Sequence, residues 1–284
     1  MISTHRSIYH GDVLEQLNYM DSQTVDVIIT SPPYWSLRDY GVDEQIGLED
    51  DYHDYLKIMH KVMKQLKRVL KDTGTCWVNL GDTYAGSGKG AGSNGKSKES
   101  FNHKKRPKVV NELQSKSLHG IPQRFFVNCI DDGWIARNYI IWYKPNAMPN
   151  SVKDRFTVKY EPVMFFSKSQ KYYFDLDAVR VKPLAPTIPC STQGKNPGDM
   201  WTINPRPFKE SHYAVFPIDL PLQILKCACP PDGIVLDPFF GAGTTGVAAE
   251  KLGRKWCGID INKDYIQIAR KRLDKYKNHS LAVS

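Results

Sequence analysis

Val25-Asp26-Val27-Ile28-Ile29-Thr30-Ser31-Pro32-Pro33-Tyr34-Trp35 is the stretch from which the rest of the chain is read. Its first six residues are apolar and β-branched, the composition of a buried strand. Two prolines then bar both continued strand pairing and an immediate helix. A stiff turn at the carboxyl end of a strand is expected, where open α/β sheets place their ligands. The turn offers the hydroxyl of Ser31, the carbonyl of Pro32 beyond any ladder, and the aromatic face of Tyr34. These parts suit a planar base with an exocyclic amine, the oxygens accepting its hydrogens while the ring stacks. A plain strand-to-loop turn with a surface Tyr-Trp pair is the competing reading.

Outward from that turn, residues 6–9 read as a short strand ending at His10-Gly11-Asp12, with Asp12 capping a helix over 13–20. Residues 36–47 read as a mobile loop. The spacing of Leu56, Met59, Met63, Leu66 and Leu70 predicts a helix over 49–71 that closes before Gly74. Further strands are expected at 75–80, 139–143, 162–167, 234–237 and 255–259, giving seven. Helices are expected at 119–130, 217–228, up to Leu252, and 263–276. Residues 85–118 are rich in Gly, Ser and Asn and carry eight basic residues against Glu99 and Glu112. That is a solvated loop, or one that orders on phosphates. The organisation expected is one domain in two halves, 1–174 and 211–284, around an irregular insert at 175–210 that is a candidate target-recognition element.

Composition narrows the class. Apolar content of 41% and charged content of 24% are those of a globular chain. No apolar run approaches a membrane span, and the first ten residues lack the core of a signal peptide. Six scattered cysteines form no C-x-x-C, so neither a zinc site nor a disulfide framework is indicated, and a reducing cytoplasm fits. A net charge of +9 permits a polyanionic partner.

A second motif follows the strand at 234–237. Gly241-Ala242-Gly243-Thr244-Thr245-Gly246 matches G-x-G-x-x-G, and Asp260 follows after the next strand. This pattern fits any adenosine-bearing cofactor, NAD included: glycines admit the ligand and the acid holds a ribose. Asp237-Pro238 at the strand tip argues against a pyrophosphate and for a cationic amino-acid tail. Only two strands remain near the C-terminus, so the N-terminal part must complete the sheet. The strands at 234 and 255 would then neighbour the strand at 6–10, with the strand at 25–30 on the other side. Asp12, Ser31, Asp237 and Asp260 would share one edge.

Taken together, the Ser-Pro-Pro-Tyr-Trp turn and the later Asp-Pro-Phe-Phe-Gly-Ala-Gly-Thr-Thr-Gly run resemble the DNA amino-methyltransferases of the permuted β class. Matching stretches span nearly the whole chain. The resemblance implies a circularly permuted Rossmann-like α/β fold with a seven-stranded mixed sheet and S-adenosyl-L-methionine as methyl donor. It implies that Pro238, Phe239, Gly241, Gly243, Thr244 and Thr245, with Asp237, enclose the cofactor. Asp260 would hold the ribose, Asp12 would lie near the adenine, and Phe216 would border the methionine end. Ser31, Pro32, Pro33 and Tyr34 would form the catalytic turn. Ser before Pro-Pro-Tyr is the form most frequent in cytosine-N4 enzymes, with adenine N6 the alternative target. Double-stranded DNA is the expected partner, and a cognate restriction nuclease a further one. Trp35, Arg38, Lys104, Lys105, Arg106 and Lys144 are the candidate DNA contacts, and no metal is expected. A carbon-5 enzyme would need Pro-Cys at a strand tip, whereas the one here, Pro189-Cys190, lies in the insert. An NAD oxidoreductase is the alternative from another enzyme class, and a non-catalytic DNA-binding module a third reading.

Overall fold

A computed structural model of the protein describes residues 5–86, 113–182, 194–205 and 216–277. Among them, eight strands form one sheet in the order β1-β8-β7-β2-β3-β5-β4-β6. These are β1 (Ser7–His10), β2 (Val25–Thr30), β3 (Leu70–Asn79), β4 (Ile135–Tyr143), β5 (Tyr160–Ser167), β6 (Met200–Thr202), β7 (Ile234–Asp237) and β8 (Lys255–Asp260). Only β5 runs against its neighbours; the other pairings are parallel. The C-terminal strands β7 and β8 fill the gap between β1 and β2, as the permuted reading requires.

The sheet is wound on both faces. On β2, Val25 and Ile28 pack into one core with α1 (Val13–Asn18), α2 (Tyr52–Val69) and α3 (Ile121–Asp131). Val27 and Ile29 pack into the other core with α4 (Asp219–Ala228), α5 (Thr244–Lys251) and α6 (Lys263–Lys277). Both faces of β2 are therefore buried, which is why its sequence, Asp26 apart, reads as a β-branched, mostly apolar run rather than an alternation.

Three expectations need correction. The sheet has eight strands instead of seven. The additional one, β6, lies inside the stretch read as an irregular insert, and Trp142 and Trp201 are register partners there. Three residues are too few to show a period. The helix read to residue 71 ends at Val69, and β3 begins at once with Leu70, which is fully buried opposite Val25. Tertiary pairing thus overrides a helical apolar pattern that had simply run on. The loop at 36–47, expected to be mobile, is tied down: the Gln45 side chain accepts from Tyr40 N–H at 2.6 Å and donates to the Arg38 carbonyl at 3.0 Å. Ile46 is buried beneath it.

The third glycine of the G-x-G-x-x-G run gives room to one ring, and the second to that ring and, more closely, to Ala269, whose Cβ an added Cβ would meet at 2.9 Å. Phe240 stacks on Trp256 with centroids 5.3 Å apart, and a Cβ on Gly258 would lie 2.3 Å from that ring. A Cβ on Gly246 would come within 2.7 Å of it, and one on Gly243 within 3.2 Å. Gly258→Ala is expected to destabilise the protein by about 1–3 kcal/mol through overpacking. This should appear as a lower urea midpoint at unchanged slope.

Candidate functional site

The parallel strands β1, β8, β7, β2 and β3 all end at the same edge. Their tips carry Gly11-Asp12, Asp260, Asp237, Ser31 and Asn79. Because β5 is reversed, its first residues, with Glu161, reach that edge too, beside Lys144 at the end of β4. One cavity of about 580 Å³ opens there, and its lining includes Ser31, Tyr34, Asp237, Gly241 and Asp260. Segments some two hundred residues apart therefore share a single cavity.

The turn after β2 is braced from behind. The Tyr55 hydroxyl donates to the Pro33 carbonyl at 2.9 Å, and Ser36 N–H donates to the Gly47 carbonyl at 2.8 Å. Pro32 and Pro33 line the cavity just past the strand end. The Tyr34 ring lies against Gly81, where a Cβ would sit 2.4 Å from Tyr34 Cε2. The Tyr34 hydroxyl donates to Glu161 Oε2 at 2.9 Å, with Asn79 Oδ1 3.1 Å away. Burial, and then the Glu161 carboxylate, hold the Tyr34 phenol well above its ordinary pKa, so it stays neutral. Glu161 in turn pairs with Lys144, whose ammonium lies 4.3 Å from the centroid of Trp142. Ser31 is held more loosely: its hydroxyl is 3.5 Å from both Tyr34 OH and Asn79 Oδ1, the outer limit of hydrogen bonding. It can reorient within the cavity at little cost.

The other half of the cavity is acidic. Asp260 Oδ2 accepts from Gly241 N–H at 2.6 Å and its Oδ1 from Asn262 N–H at 2.8 Å. It thereby fixes the start of the glycine loop, besides the ribose-holding place expected of it. Asp237 accepts from the Thr245 hydroxyl at 2.6 Å and from Phe239 N–H at 3.1 Å. Burial pushes the Asp237 carboxyl up to about 7, against the pull of those hydrogen bonds. Burial likewise raises Asp260 to about 6. Asp12 caps α1, accepting from Glu15 N–H at 3.0 Å, and lines the same cavity. Counting the whole lining, five carboxylates face two cations. Gly241 has a φ of +50°, and a Cβ added there would meet nothing, so its side is open to a ligand. A buried carboxylate stripped of water beside an unfilled glycine suits a cationic ligand and opposes a pyrophosphate.

Most sequence-derived candidates converge on this cavity. Pro238, Phe239, Thr244 and Phe216 line it, as do Arg38 and Lys144. Gly243 and Thr245 do not. Gly243 turns the chain into α5 with a φ of +76°, and Thr245 is buried behind Asp237. Both stand behind the acid-and-glycine wall of the cavity. Trp35 must be removed from the DNA contacts. It is 1% exposed, its Nε1–H donates to the Glu49 carbonyl at 2.9 Å, and His119 and Tyr52 pack edge-on against it. Lys104, Lys105 and Arg106 lie outside the described residues. Asn79, Glu161 and Arg272 were not singled out. Arg272 donates to the Ala242 carbonyl and lies 3.2 Å from the Thr244 hydroxyl, clamping the glycine loop from α6. Its position on a basic amphipathic helix gives no hint of that. Glu161 is visible in sequence only as the residue before Pro162.

A family model described as "DNA methylase", for N6 and N4 enzymes, matches residues 25–271. The Type II methyltransferase M.Cfr9I of Citrobacter freundii is 41% identical over 267 residues, covering 94% of this chain and 87% of that protein. The Type II methyltransferase M.SmaI of Serratia marcescens is 39% identical over 263 residues, covering 93% and 89%. Among solved structures, the PvuII DNA methyltransferase (cytosine-N4-specific) superposes with a TM-score of 0.69 at 21% identity, covering 96% of this chain and 90% of that one. The M1.HpyAVI–SAM complex gives 0.56 at 22% identity, covering 94% and 99%. These two likenesses concern the fold.

The raised Asp237 carboxyl has a measurable consequence. Its folded value of about 7 lies above an unfolded value of about 3.9. Its contribution to the stability of the unliganded protein is therefore fully present below about pH 4 and is lost as pH rises through about 7. Asp237→Asn should be more stable than the wild type at about pH 8, the gap closing toward about pH 4. Urea melts across that range measure it.

Proposed function

The chain belongs to the N6/N4 DNA methylase family, and from that footing we propose that it transfers a methyl group from S-adenosyl-L-methionine to the exocyclic amine of a base turned out of duplex DNA. The target is N4 of cytosine, with N6 of adenine as the second reading. One observation carries this: the Ser-Pro-Pro-Tyr turn and the acid-and-glycine wall line the same cavity. The cytosine reading draws on Ser31 before Pro-Pro-Tyr. It also draws on the PvuII enzyme, whose fold this chain shares and which is itself described as cytosine-N4-specific.

The residues present fit the donor. Asp237, desolvated and open to the cavity, favours a cationic amino-acid tail, and such a ligand would draw its carboxyl back to the ionised form. Asp260 still has lone pairs for ribose hydroxyls after serving the two backbone N–H groups. Phe239 and Gly241 supply the wall, and Phe216 borders the far end. When bound, S-adenosyl-L-methionine supplies an electrophilic sulfonium methyl. The alternative of NAD meets carboxylates where its pyrophosphate would need backbone N–H groups alone.

On the other side of the cavity, the protein shapes the amine. An exocyclic amine is a poor nucleophile while its lone pair is delocalised into the ring. The Ser31 hydroxyl and the Pro32 carbonyl accept its hydrogens and favour a pyramidal nitrogen. Positive charge developing on nitrogen is met by those oriented oxygens, and the fixed turn supplies alignment. Tyr34, kept neutral and pinned by Glu161, offers its ring for stacking. The base must be everted first, at a cost of a few kcal/mol. Arg38 is a further contact available to DNA at the rim, and a cognate restriction endonuclease is the partner that Type II methyltransferases imply.

Treating DNA with the protein and isotope-labelled donor, then analysing nucleosides by mass spectrometry, tests the reading. Labelled N4-methylcytosine is expected. Labelled N6-methyladenine would overturn the choice of base, and no label in DNA would overturn the function. Ser31→Ala should lower kcat by about 10²–10³-fold with cofactor binding retained. Tyr34→Phe, which keeps the ring but loses the Glu161 anchor, should fall far less than Tyr34→Ala in the same single-turnover assay.

A further inference from the structure

Between β4 and β5 the chain leaves the sheet over residues 145–159. The excursion is rooted at the cavity, since Lys144 and Glu161 on either side both line it. Lys144 N–H donates to the Lys159 carbonyl at 2.7 Å and closes the neck. Two of the most exposed large apolar side chains among the described residues stand on it, Phe156 at 96% and Met148 at 87%. A lone exposed apolar residue is ordinary. Here Val152 and Val158 are exposed on the same excursion, interleaved with exposed Lys153 and Lys159. The excursion is also braced: Arg155 lies 4.0 Å from the centroid of the Tyr84 ring, and Lys116 Nζ is 2.6 Å from Asp154 Oδ2. A braced, cationic element rooted at the rim of the cavity and bearing bare Phe and Met side chains has one well-matched partner.

We propose that residues 145–159 dock on duplex DNA, with Lys153 and Lys159 on phosphates and Phe156 and Met148 filling the gap left in the base stack by the everted nucleotide. The inference rests on the proposed function and extends it. Apolar wedges of this kind enter base steps and take over the lost stacking, while lysines supply the charge that anchors them. A second copy of this chain is a poorer occupant. A stable dimer needs about 800 Å² from each partner, and two lysine-bearing excursions would repel each other.

The test uses the full-length protein and a duplex whose site is read from the bases that the wild type modifies in plasmid DNA. Phe156→Ala, Met148→Ala and the double variant are compared on that duplex and on one with the target base mispaired, where eversion costs less. The double variant should lose about tenfold or more on the paired duplex and recover to near the wild-type rate on the mispaired one. Cofactor affinity and melting temperature should not change. An unchanged rate on the paired duplex would overturn the wedge, as would an equal loss on both. A dimer that sedimentation shows to dissociate in the variants would overturn it in favour of self-association. A wild type that modifies no base of the plasmid would instead fail the methyltransferase reading itself.

Discussion

Two residue pairs, Val27 beside Val235 and Ile28 beside Leu236, join the halves of the sheet. Everything at the carboxyl edge depends on that seam. It sets Asp237 next to the end of β2, and so sets the acid-and-glycine wall against the Ser-Pro-Pro-Tyr turn. Asp26 reinforces it: one carboxylate oxygen accepts from Ile234 N–H at 2.9 Å, and both lie 2.8 Å from Lys71 Nζ. Parallel pairing this short is weak alone. The two cores, which bury β2 on both faces, hold it in register.

The edge so formed collects charge in a place with little water. Asp237 and Asp260 keep backbone or hydroxyl donors but still sit above their ordinary carboxyl range, because burial outweighs those donors. Ionising either carboxyl there carries a local desolvation cost. The opposite side is built the other way. Glu161 is matched by Lys144 and by the Tyr34 hydroxyl, so the Tyr34 ring is fixed in place. Ser31 alone is left weakly held. One side of the cavity is primed by an unmet charge, the other by a network already met.

The glycine run illustrates how a motif can be right for an unexpected reason. Its first glycine faces open space at the cavity, in keeping with a ligand. Its third gives way to the Phe240 ring, as does Gly258 on the next strand, and its second chiefly to Ala269 of α6. Thr245, likewise, donates its hydroxyl to Asp237 from behind the cavity wall. Ligand-binding and packing glycines look alike in sequence because both answer to the same demand, room where a Cβ would stand.

Local chemistry determined much of this protein from its sequence alone. The strand at 25–30, the proline-stiffened turn, the Asp12 cap and the strand-tip acids are written in neighbouring residues, and so is the order of motifs that demands a permuted sheet. What needed the tertiary structure was whatever depends on distant partners. Trp35 looks like a surface aromatic until His119 and Tyr52 are seen around it. Glu161 becomes part of the site only because β5 runs in reverse. β6 exists because Trp201 finds Trp142 across the ladder. Short-range patterns fix what a segment can be. Which face it buries, and which side chain it meets there, follows from long-range packing that no window of sequence contains.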